Sequence, residues 1–558
     1  MPVPTLVLNL GHSVLKSLDD YTEAASEIYR HYREGQNIVA VTSAQSDQTD
    51  VLMAEARRVG PEGTARNLPE LLQLGERRSA ALLALALERI GAPAFVRQAR
   101  DLGLTATGDP MDAELTGLKT GQLLQDLKDH DIVVMPGFVA IGEKDRAVLL
   151  GRGGADLTAL YVADQLGAPA LLLKDVDGVY SRDPAETSHE PLRRYSRISY
   201  ADLRRKAAPL VSARAVDYAE GVGQRFRIGT PGAARYTEVG DVSDAPEPVA
   251  ARPRLRVAMM GLGTVGGGVW RRAEAHPELF EIVRVMVRDR DKYIAQGYPE
   301  DVLSTSADDL VTAAPDVFID VSGPVQPALD ITRAMLAAGV HVVSANKQAI
   351  AEGGQALLDA GAASDARLLF SSAAGGGMPV LEMCLRERGR ISRVEALLNG
   401  TTNFMLGQME AGESYEDALR TAQERGYAEA DPTADVDGHD AAAKIRLVSL
   451  LAFGESLAPT DIARDTMDGA DAARRPGTVL KRVARVAREL DGEIAADLRL
   501  KALSPNNFLA KADGEDAHAV FDFTDGDRYV IRGKGAGRWP TTESVMADLY
   551  DIVNGVTR

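Results

Sequence analysis

Residues 426–444, which read GYAEADPTADVDGHDAAAK, are dense in acidic side chains. Asp440 and Lys444 are four positions apart in a stretch that predicts a helix, so they share one helix face. Pro432 and Gly438 favour a loop for the acids that precede them. Carboxylates of this kind can bind an ammonium group, and a lysine can stabilise and protonate an alkoxide. The alternative is an exposed acidic loop with an ordinary ion pair worth about 0.2–0.5 kcal/mol.

Two shorter polar segments follow apolar runs. Residues 344–347 read SANK at the end of HVVSANK, a run that predicts a strand. Residues 399–403 read NGTTN after a second apolar run. Because α/β sheets bind their ligands at the carboxyl ends of strands, residues 344–347 are expected beside a bound ligand.

A glycine loop indicates a cofactor. The apolar run 255–260 predicts a strand, and residues 261–266 after it read GLGTVG. In this pattern Gly261 permits a tight turn, Gly263 lets the backbone approach a pyrophosphate, and Gly266 lets the following helix pack closely. A helical window and a second strand-like run come next, so a dinucleotide site is expected.

The residue after that second strand distinguishes the two nicotinamide cofactors. An Asp or Glu there binds the 2′-hydroxyl of NAD, whereas this chain has Arg288 in the run RDRDK. A guanidinium matches a phosphate with two parallel hydrogen bonds, so Arg288, with Arg290 or Lys292, favours the 2′-phosphate of NADP. Asp289 could instead bind the ribose of NAD, so NAD remains an alternative cofactor. A further alternative is that this run of charges is only a solvated surface.

Composition excludes several classes of protein. The chain has 558 residues, enough for about three to five domains. Lys and Arg number 63 against 81 Asp and Glu, and the resulting net charge of −18 argues against nucleic acid as a partner. A single cysteine, Cys384, fits a reducing compartment. No apolar stretch approaches the roughly 20 residues of a membrane span, and the N-terminus has no signal-peptide pattern, so a cytoplasmic protein without a membrane partner is expected.

The composition changes sharply at residues 238–253, which read EVGDVSDAPEPVAARP. We predict an interdomain linker at 246–253, with a long surface loop as the alternative. On both sides, strand-like runs such as TLVLNL and LRVAMMGLG alternate with helical windows. This alternation predicts an α/β fold with parallel sheets covered by helices.

Together these segments resemble homoserine dehydrogenase from about residue 254 to the end. The glycine loop, NGTTN, the 426–444 segment and GKGAGRWPT at 533–541 stand in that family's order and spacing. The resemblance implies NAD(P)H-dependent reduction of L-aspartate 4-semialdehyde to L-homoserine, on the branch toward threonine and methionine, by a homodimer or higher homo-oligomer. The implied divisions are a Rossmann domain at 254–383, an α+β catalytic and dimerisation domain at 384–532, and a C-terminal segment at 533–558 that returns to the cofactor domain.

Residue roles are carried over position by position from the resemblance. The lysines implicated in proton transfer are Lys347 and Lys444. The implied substrate contacts are Glu429, Asp435, Asp440, Asn399, Gly400 and Thr401. The implied cofactor contacts are Gly261, Gly263, Thr264, Val265, Gly266, Arg288, Ser322, Ser344, Asn346, Lys347 and Gly535. For a lysine to act near neutral pH, its ordinary pKa of about 10.4 is expected to fall, through burial or through the second lysine.

One departure from the family concerns a monovalent cation. The family often has a Glu in the segment that matches residues 369–379, where that Glu and backbone carbonyls hold the ion. Here the position is Ser371. The backbone oxygens of Ala374 and Gly376 remain candidate ligands for sodium.

Residues 1–245 resemble the amino-acid kinase fold of aspartokinase, through GRGGAD at 151–156 and DVDGVYSRDP at 175–184. That family opens on KFGGTS, whereas this chain reads NLGHS at 9–13. Asn9 thus replaces the lysine whose charge stabilises the transferring phosphoryl group. Phosphoryl transfer depends on positioning and electrostatics, so this loss is expected to cost orders of magnitude in rate.

The ACT modules that usually separate kinase from dehydrogenase have no counterpart in the sequence. We therefore expect a pseudokinase-like domain that serves assembly or regulation. Its acids Glu76, Asp156, Asp175 and Asp177 could still bind a nucleotide or an amino acid. Two other interpretations stay open: a bifunctional enzyme whose kinase uses another cation, and a non-catalytic NADP-binding sensor.

Overall fold

The computed structural model describes residues 3–60, 66–186, 190–206, 210–249 and 253–556. The chain divides into two compact units, which we call unit 1 (Met1–Ala251) and unit 2 (Arg252–Arg558). Residues 250–252 of the predicted linker lie outside the described residues. Among the described residues, no helix combines the length and the apolar character that a membrane crossing requires.

Unit 1 is built around one large sheet. Its strands are β1 Thr5–Leu10, β2 Asn37–Thr42, β3 Ala94–Val96, β4 Thr105–Asp109, β5 Asp112–Gly117, β6 Ile132–Pro136, β7 Val139–Ile141, β8 Ala147–Leu149, β9 Ala170–Leu173, β10 Arg193–Arg194, β11 Arg197–Ser199, β12 Phe226–Gly229, β13 Thr237–Gly240 and β14 Glu247–Pro248. Its helices are α1 Asp20–Arg33, α2 Gln48–Val59, α3 Leu68–Arg89, α4 Thr120–His130, α5 Gly154–Leu166, α6 Tyr200–Lys206 and α7 Ala213–Val222.

Eight of these strands form the sheet, in the order β11-β13-β12-β9-β1-β2-β6-β3. From β12 to β3 all neighbours are parallel. The apolar runs of β6 and β9 are buried at every position, as expected of parallel strands covered by helices on both faces. A smaller four-stranded sheet, β5-β4-β7-β8, stands beside the large one.

Unit 2 contains two six-stranded sheets. Its strands are β15 Leu255–Met260, β16 Phe280–Met286, β17 Leu303–Ser304, β18 Val317–Asp320, β19 His341–Ser344, β20 Leu368–Leu369, β21 Ile391–Ala396, β22 Ile462–Arg464, β23 Val479–Arg488, β24 Ile494–Leu503, β25 Asp516–Phe523 and β26 Arg528–Lys534. Its helices are α8 Thr264–Ala275, α9 Arg290–Ala295, α10 Ala307–Thr312, α11 Ala328–Ala337, α12 Lys347–Ser364, α13 Val380–Arg386, α14 Gly400–Glu410, α15 Tyr415–Glu424, α16 Thr433–Val436, α17 His439–Phe453, α18 Ala470–Ala473 and α19 Arg538–Val553.

The first sheet of unit 2 is entirely parallel, with strand order β17-β16-β15-β18-β19-β20. In sequence order this is 3-2-1-4-5-6, the order of a Rossmann dinucleotide-binding domain. The prediction of an α/β fold with a Rossmann domain is therefore confirmed. The order reverses between β15 and β18, and open α/β sheets bind their ligands in the crevice at such a point.

The second sheet, β22-β24-β23-β21-β25-β26, is mixed and packs against α17. The last helix, α19, packs along α8, and its side chains Val545, Met546 and Leu549 belong to the hydrophobic core of the parallel sheet. The two helices approach closely, because a Cβ on Gly268 would lie 2.5 Å from Oγ1 of Thr542. The C-terminal helix thus completes the core under the glycine loop.

Candidate active site

Two cavities of unit 2 lie near the carboxyl ends of its parallel strands. The first, which we call the dinucleotide cavity, has about 670 Å³ and is lined by the glycine loop and by residues that follow β16 and β18. The second, which we call the substrate cavity, has about 510 Å³. Its lining comes from the start of α12, from residues 399–401, from the acidic segment and from residues 536–537.

Asp440 joins two lysines at the substrate cavity. Its Oδ1 lies 2.8 Å from Nζ of Lys347, and its Oδ2 lies 2.8 Å from Nζ of Lys444, on the same face of α17. Nζ of Lys444 also donates to the carbonyl of Leu398 at 2.6 Å. The Lys444 side chain is only 7% exposed, whereas that of Lys347 is 34% exposed. Both lysines line the substrate cavity, and Lys347 is the more exposed of the two.

The charges of this group reinforce one another. Burial alone would raise the pKa of Asp440, but the ammonium groups of Lys444 and Lys347 hold it well below its usual range. Burial opposes the charge on Lys347, yet the acids around it, led by Asp440, raise its pKa. The expectation that this lysine has a lowered pKa is therefore wrong for the protein without substrate, because a carboxylate pairs with it directly.

Asn399 connects the second polar segment to the acids. Its Oδ1 accepts a hydrogen bond from the backbone N of Thr402 at 2.9 Å and so caps α14. Its Nδ2 donates to Asp435 at 2.6 Å and to Asp440 at 3.1 Å. Burial, and then the nearby charge of Asp440, raise the pKa of Asp435. The capping residue of a helix thus also sets the spacing between two carboxylates.

The rim of the substrate cavity carries the remaining acid of the predicted set. Glu429 lines the cavity from an exposed position, and among the described residues its carboxylate has no hydrogen-bond or ion-pair partner. Thr401 donates to the carbonyl of Tyr427 at 2.7 Å, which ties the acidic segment to α14 next to Gly400. A free carboxylate at the mouth of the cavity suits a substrate ammonium group.

Glu515 also lines the substrate cavity and was missed by sequence reasoning. It precedes β25 and pairs with Lys534 at 2.6 Å. The strand that it precedes, β25, lies antiparallel to β21 in the second sheet. No local motif marks this residue, so sequence spacing carried no signal for it.

The glycine loop fits a dinucleotide. Gly261 has φ +99°, and a Cβ there would lie 3.0 Å from the carbonyl of Val321. A Cβ on Gly266 would lie 2.3 Å from the carbonyl of Gly261, whereas one on Gly263 would meet no atom within 4 Å. A side chain at the first or third glycine would thus clash with the protein backbone. The second glycine instead leaves open space for a pyrophosphate. Thr264 and Val265, which lie between the second and third glycines, are the first two residues of α8.

The basic run beside the dinucleotide cavity divides into two parts. Arg288, Asp289 and Lys292 line the cavity. Oδ1 of Asp289 accepts from the backbone N of Lys292 at 3.0 Å and caps α9. Arg290 instead pairs with Glu300 at 3.0 Å and donates to the carbonyl of Leu303. Arg288 and Lys292 thus line the dinucleotide cavity, whereas Arg290 contacts Glu300 and Leu303 of the protein itself.

A buried carboxylate supports the residues between the two cavities. Asp320 ends β18, and its Oδ1 accepts from the backbone N and from the hydroxyl of Ser322, at 3.0 and 2.7 Å. Ser344 Oγ accepts from the backbone N of Asn346 at 3.1 Å, and the Asn346 amide donates to the carbonyl of Pro324 at 2.9 Å. Burial raises the pKa of Asp320. Asp320 also escaped sequence reasoning, because it stands inside an apolar strand-like run.

Comparison with known proteins agrees with this geometry. The homoserine dehydrogenase family matches residues 379–550, and the homoserine dehydrogenase NAD binding domain matches residues 261–371. The homoserine dehydrogenase of Synechocystis sp. is 32% identical over 323 residues, covering 54% of this chain and 74% of that protein. The homoserine dehydrogenase of Lactococcus lactis subsp. lactis is 34% identical over 319 residues, with the same shares covered.

The chain belongs to the homoserine dehydrogenase family. A solved homoserine dehydrogenase structure from Thiobacillus denitrificans matches with a TM-score of 0.51 and 29% identity, covering 55% of this chain and 74% of that one. Residues 4–224 match the amino acid kinase family. The protein is thus an NAD(P)-dependent oxidoreductase fused to an amino-acid-kinase-like domain, as its motifs predicted.

The cation segment of this homoserine dehydrogenase differs from the one that the family resemblance implies. Oγ of Ser371 donates to Asp548 of α19 at 2.7 Å, and its backbone N donates to the same carboxylate at 3.1 Å. Ala374 is buried, and Gly376, with φ +58°, packs against the backbone at Gly535. The described residues contain no cluster of three or more His, Cys, Asp or Glu side chains that could hold a metal ion. A sodium ion here would be bound by neutral backbone oxygens in place of the family's carboxylate, and this site stays a prediction.

Unit 1 has a cavity of about 500 Å³ at the motifs of its kinase-like fold, lined among others by His12, Ser43, Glu76, Arg152 and Ala155. Burial raises the pKa of Glu76 to about 8, and its Oε2 has no hydrogen-bond partner among the described atoms. Burial therefore favours the protonated form of this carboxyl group. The carboxyl group accepts a hydrogen bond from the backbone N of Ala44, so Oε2 is the atom that lacks a partner at this cavity.

Proposed function

We propose that unit 2 reduces L-aspartate 4-semialdehyde to L-homoserine, with Lys347 as the proton donor. The observation that carries this proposal is the accessible Lys347 ammonium paired with the buried Asp440–Lys444 pair. A bound nicotinamide cofactor supplies the hydride to the aldehyde carbon. Lys347 stabilises the negative charge that develops on the carbonyl oxygen and transfers a proton to it.

The raised pKa of Lys347 favours this direction of reaction. The lysine enters the reduction as the charged acid, and Asp440, which also pairs with Lys444, holds its ammonium at the cavity. In the reverse oxidation the same lysine must first lose a proton. As the pH rises, the rate of homoserine oxidation is therefore expected to increase more than the rate of semialdehyde reduction.

Glu429→Gln is expected to raise the KM for aspartate semialdehyde or homoserine by about 10-fold or more and to change kcat little. The reason is that a hydrogen bond between charged groups contributes about 1.5–3 kcal/mol and is made equally before and during the reaction. Steady-state kinetics with homoserine would measure this effect. Glu424→Gln, an exposed acid at the end of α15, is the matched control. Equal loss of kcat and kcat/KM in Glu429→Gln would contradict the binding role.

We infer that the cofactor is NADP(H) rather than NAD(H), through Arg288 with help from Lys292. Arg288→Ser is expected to lower kcat/KM for NADPH by about 10- to 100-fold and to leave kcat/KM for NADH within a few fold, because only NADPH has the 2′-phosphate. Initial rates with both cofactors measure the ratio. Arg290→Ser is the control from the same run, since Arg290 already pairs with Glu300. Equal losses with both cofactors would point to NAD or to a structural role.

For unit 1 we propose a pseudokinase that serves assembly or regulation in a cytoplasmic homo-oligomer. Asn9 in place of the family lysine supports the loss of kinase activity, and the cavity at Glu76 supports retained ligand binding. The proposed division is kinase-like residues 1–245, linker 246–253, cofactor domain 254–383, catalytic domain 384–532 and C-terminal segment 533–558.

A paired assay tests both units in one purified sample. Homoserine-dependent reduction of NADP and NAD is followed at 340 nm, beside ATP turnover with and without aspartate. We expect dehydrogenase activity and no aspartate-dependent ATP turnover. Absence of dehydrogenase activity would leave the non-catalytic sensor, and aspartate-dependent ATP turnover would mean that unit 1 is a working kinase.

A further inference from the structure

Strand β1 has Asn9 where the aspartokinase family has a lysine. A different lysine, Lys174, directly follows the neighbouring strand β9. The two strands are parallel, with Leu10 opposite Leu173, so Gly11 and Lys174 leave the sheet side by side. Nζ of Lys174 lies 3.5 Å from the position that a Cβ on Gly11 would take. A lysine therefore reaches the turn after β1, although residue 9 is an asparagine.

Asn9 and Lys174 share one acceptor. The Asn9 side-chain amide and the Lys174 ammonium both donate to Oδ1 of Asp156, the ammonium at 2.7 Å. Asp156 lies in the first turn of α5, two positions after the glycine-rich residues 151–154. The same carboxylate thus orients the polar side chains that end two adjacent strands.

The Lys174 ammonium has capacity for a further ligand. Lys174 is 6% exposed, and within the described residues its side chain has one hydrogen-bond partner, Asp156. An ammonium group has three donors, and burying one with two donors unused is costly. An acceptor from outside the protein is therefore expected beside it, and the site lies at the Gly11 turn next to the first turn of α5.

We propose that Lys174 replaces the cation missing at position 9 and that unit 1 binds a phosphate group between Lys174 and the Gly11 turn. The ligand class is a nucleotide polyphosphate or inorganic phosphate. Because Asp156 neutralises Lys174, the pair can hold an anion but supplies little net charge to a transferring phosphoryl group. This inference rests on the proposed pseudokinase role and extends it, since unit 1 would still bind a phosphate group but would not transfer a phosphoryl group.

Lys16 provides a matched comparison in the same unit. Its ammonium lies 3.5 Å from Asp175, the residue after Lys174, but its side chain is 59% exposed. An exposed lysine of this kind contributes little to binding, because solvent screens its charge. Replacing either lysine by methionine therefore removes the same charge, at a buried position for Lys174 and at an exposed position nearby for Lys16.

The test is isothermal titration of the full-length protein with Mg·ATP and, separately, with inorganic phosphate. Saturating NADP is present throughout, so that the dinucleotide cavity of unit 2 is occupied. The variants are Lys174→Met, Lys16→Met and the double variant Asn9→Lys/Lys174→Met. We expect saturable binding by the wild type, a loss of at least 10-fold in affinity for Lys174→Met, a change below 3-fold for Lys16→Met, and recovery in the double variant.

Dehydrogenase activity and the circular dichroism of each variant report folding. No saturable binding of either probe by the folded wild type would overturn the proposal. Equal affinities of Lys174→Met and wild type would overturn it as well, and would leave the Lys174–Asp156 pair as a structural ion pair only. Recovery in the double variant would show that the charge, rather than local packing, is what matters. ATP turnover measured in the same samples tests the pseudokinase role separately, because turnover that Lys174→Met abolishes would refute that role and still support Lys174.

Discussion

Lys347→Met is expected to lower kcat for aspartate semialdehyde reduction by about 10²- to 10⁴-fold, the usual contribution of a positioned general acid. KM is expected to change little, because Glu429 and Asp435 are proposed to hold the substrate ammonium. The side chain of Lys347 is 34% exposed at the cavity, and its ammonium is held by one carboxylate oxygen of Asp440 at 2.8 Å. Steady-state kinetics in both directions, with NADPH and with NADP, measure the effect.

Lys501→Met is the matched control for this prediction. The Lys501 side chain is 30% exposed and pairs with Glu395 at 2.8 Å, so its exposure and its ion-pair geometry are close to those of Lys347. It lies on β24, in the second sheet. We expect its kinetics to stay within 2-fold of wild type. Wild-type kcat in Lys347→Met would exclude this lysine as the proton donor and would direct attention to Lys444.

Asp440→Asn is expected to lower the free energy of unfolding of unit 2 by about 3–5 kcal/mol at pH 7, the usual effect of removing one partner from a buried ion pair. Lys444, with 7% of its side chain exposed, would be left buried without a carboxylate beside it. The same variant is expected to lower kcat, since Lys347 loses the group that orients it. Urea unfolding followed by circular dichroism measures the stability, and the dehydrogenase assay measures kcat.

The pH dependence of this stability has a definite sign. The folded pKa of Asp440 lies below the ordinary value of 3.8, so the ion pairs stabilise the fold above that value. The contribution disappears as the pH falls through 3.8 and below, where the unfolded chain binds the proton first. The difference between wild type and Asp440→Asn is therefore expected to be constant from pH 6 to 8 and to shrink toward pH 3. Glu395→Gln, which breaks a partly exposed pair, is expected to cost at most about 1 kcal/mol, and an equal cost in the two variants would contradict the importance of burial.

Much of the fold was accessible from local pattern. Apolar runs of four to seven residues predicted β15, β16, β18 and β19, because strands buried on both faces of a parallel sheet leave few polar positions. The glycine loop could also be predicted from the sequence, because each of its glycines lies where few other residues would fit. The spacing of Asp440 and Lys444 predicted a shared helix face for the same kind of reason, the period of the α-helix.

Partners from distant parts of the chain were not accessible in this way. The sequence could not tell that Arg290 pairs with Glu300 while Arg288 stays at the cavity, because both stand in one run of charges. It could not tell that Ser371 is held by Asp548 of the last helix. The pKa of Lys347 was wrongly expected to fall, because its sign depends on the balance between burial and the carboxylate of Asp440.

By itself, the sequence determined the α/β class, the glycine loop, the position of the acidic segment and the absence of a lysine at position 9. These features are local, because they depend on the residue types along one strand, one turn or one helix face. Only the tertiary structure decided that Lys347 is more exposed at the substrate cavity than Lys444 and that Lys174 reaches the turn after β1. Burial and ion pairing depend on how strands and helices far apart in the chain are packed, and that packing is set by the whole fold rather than by any one segment.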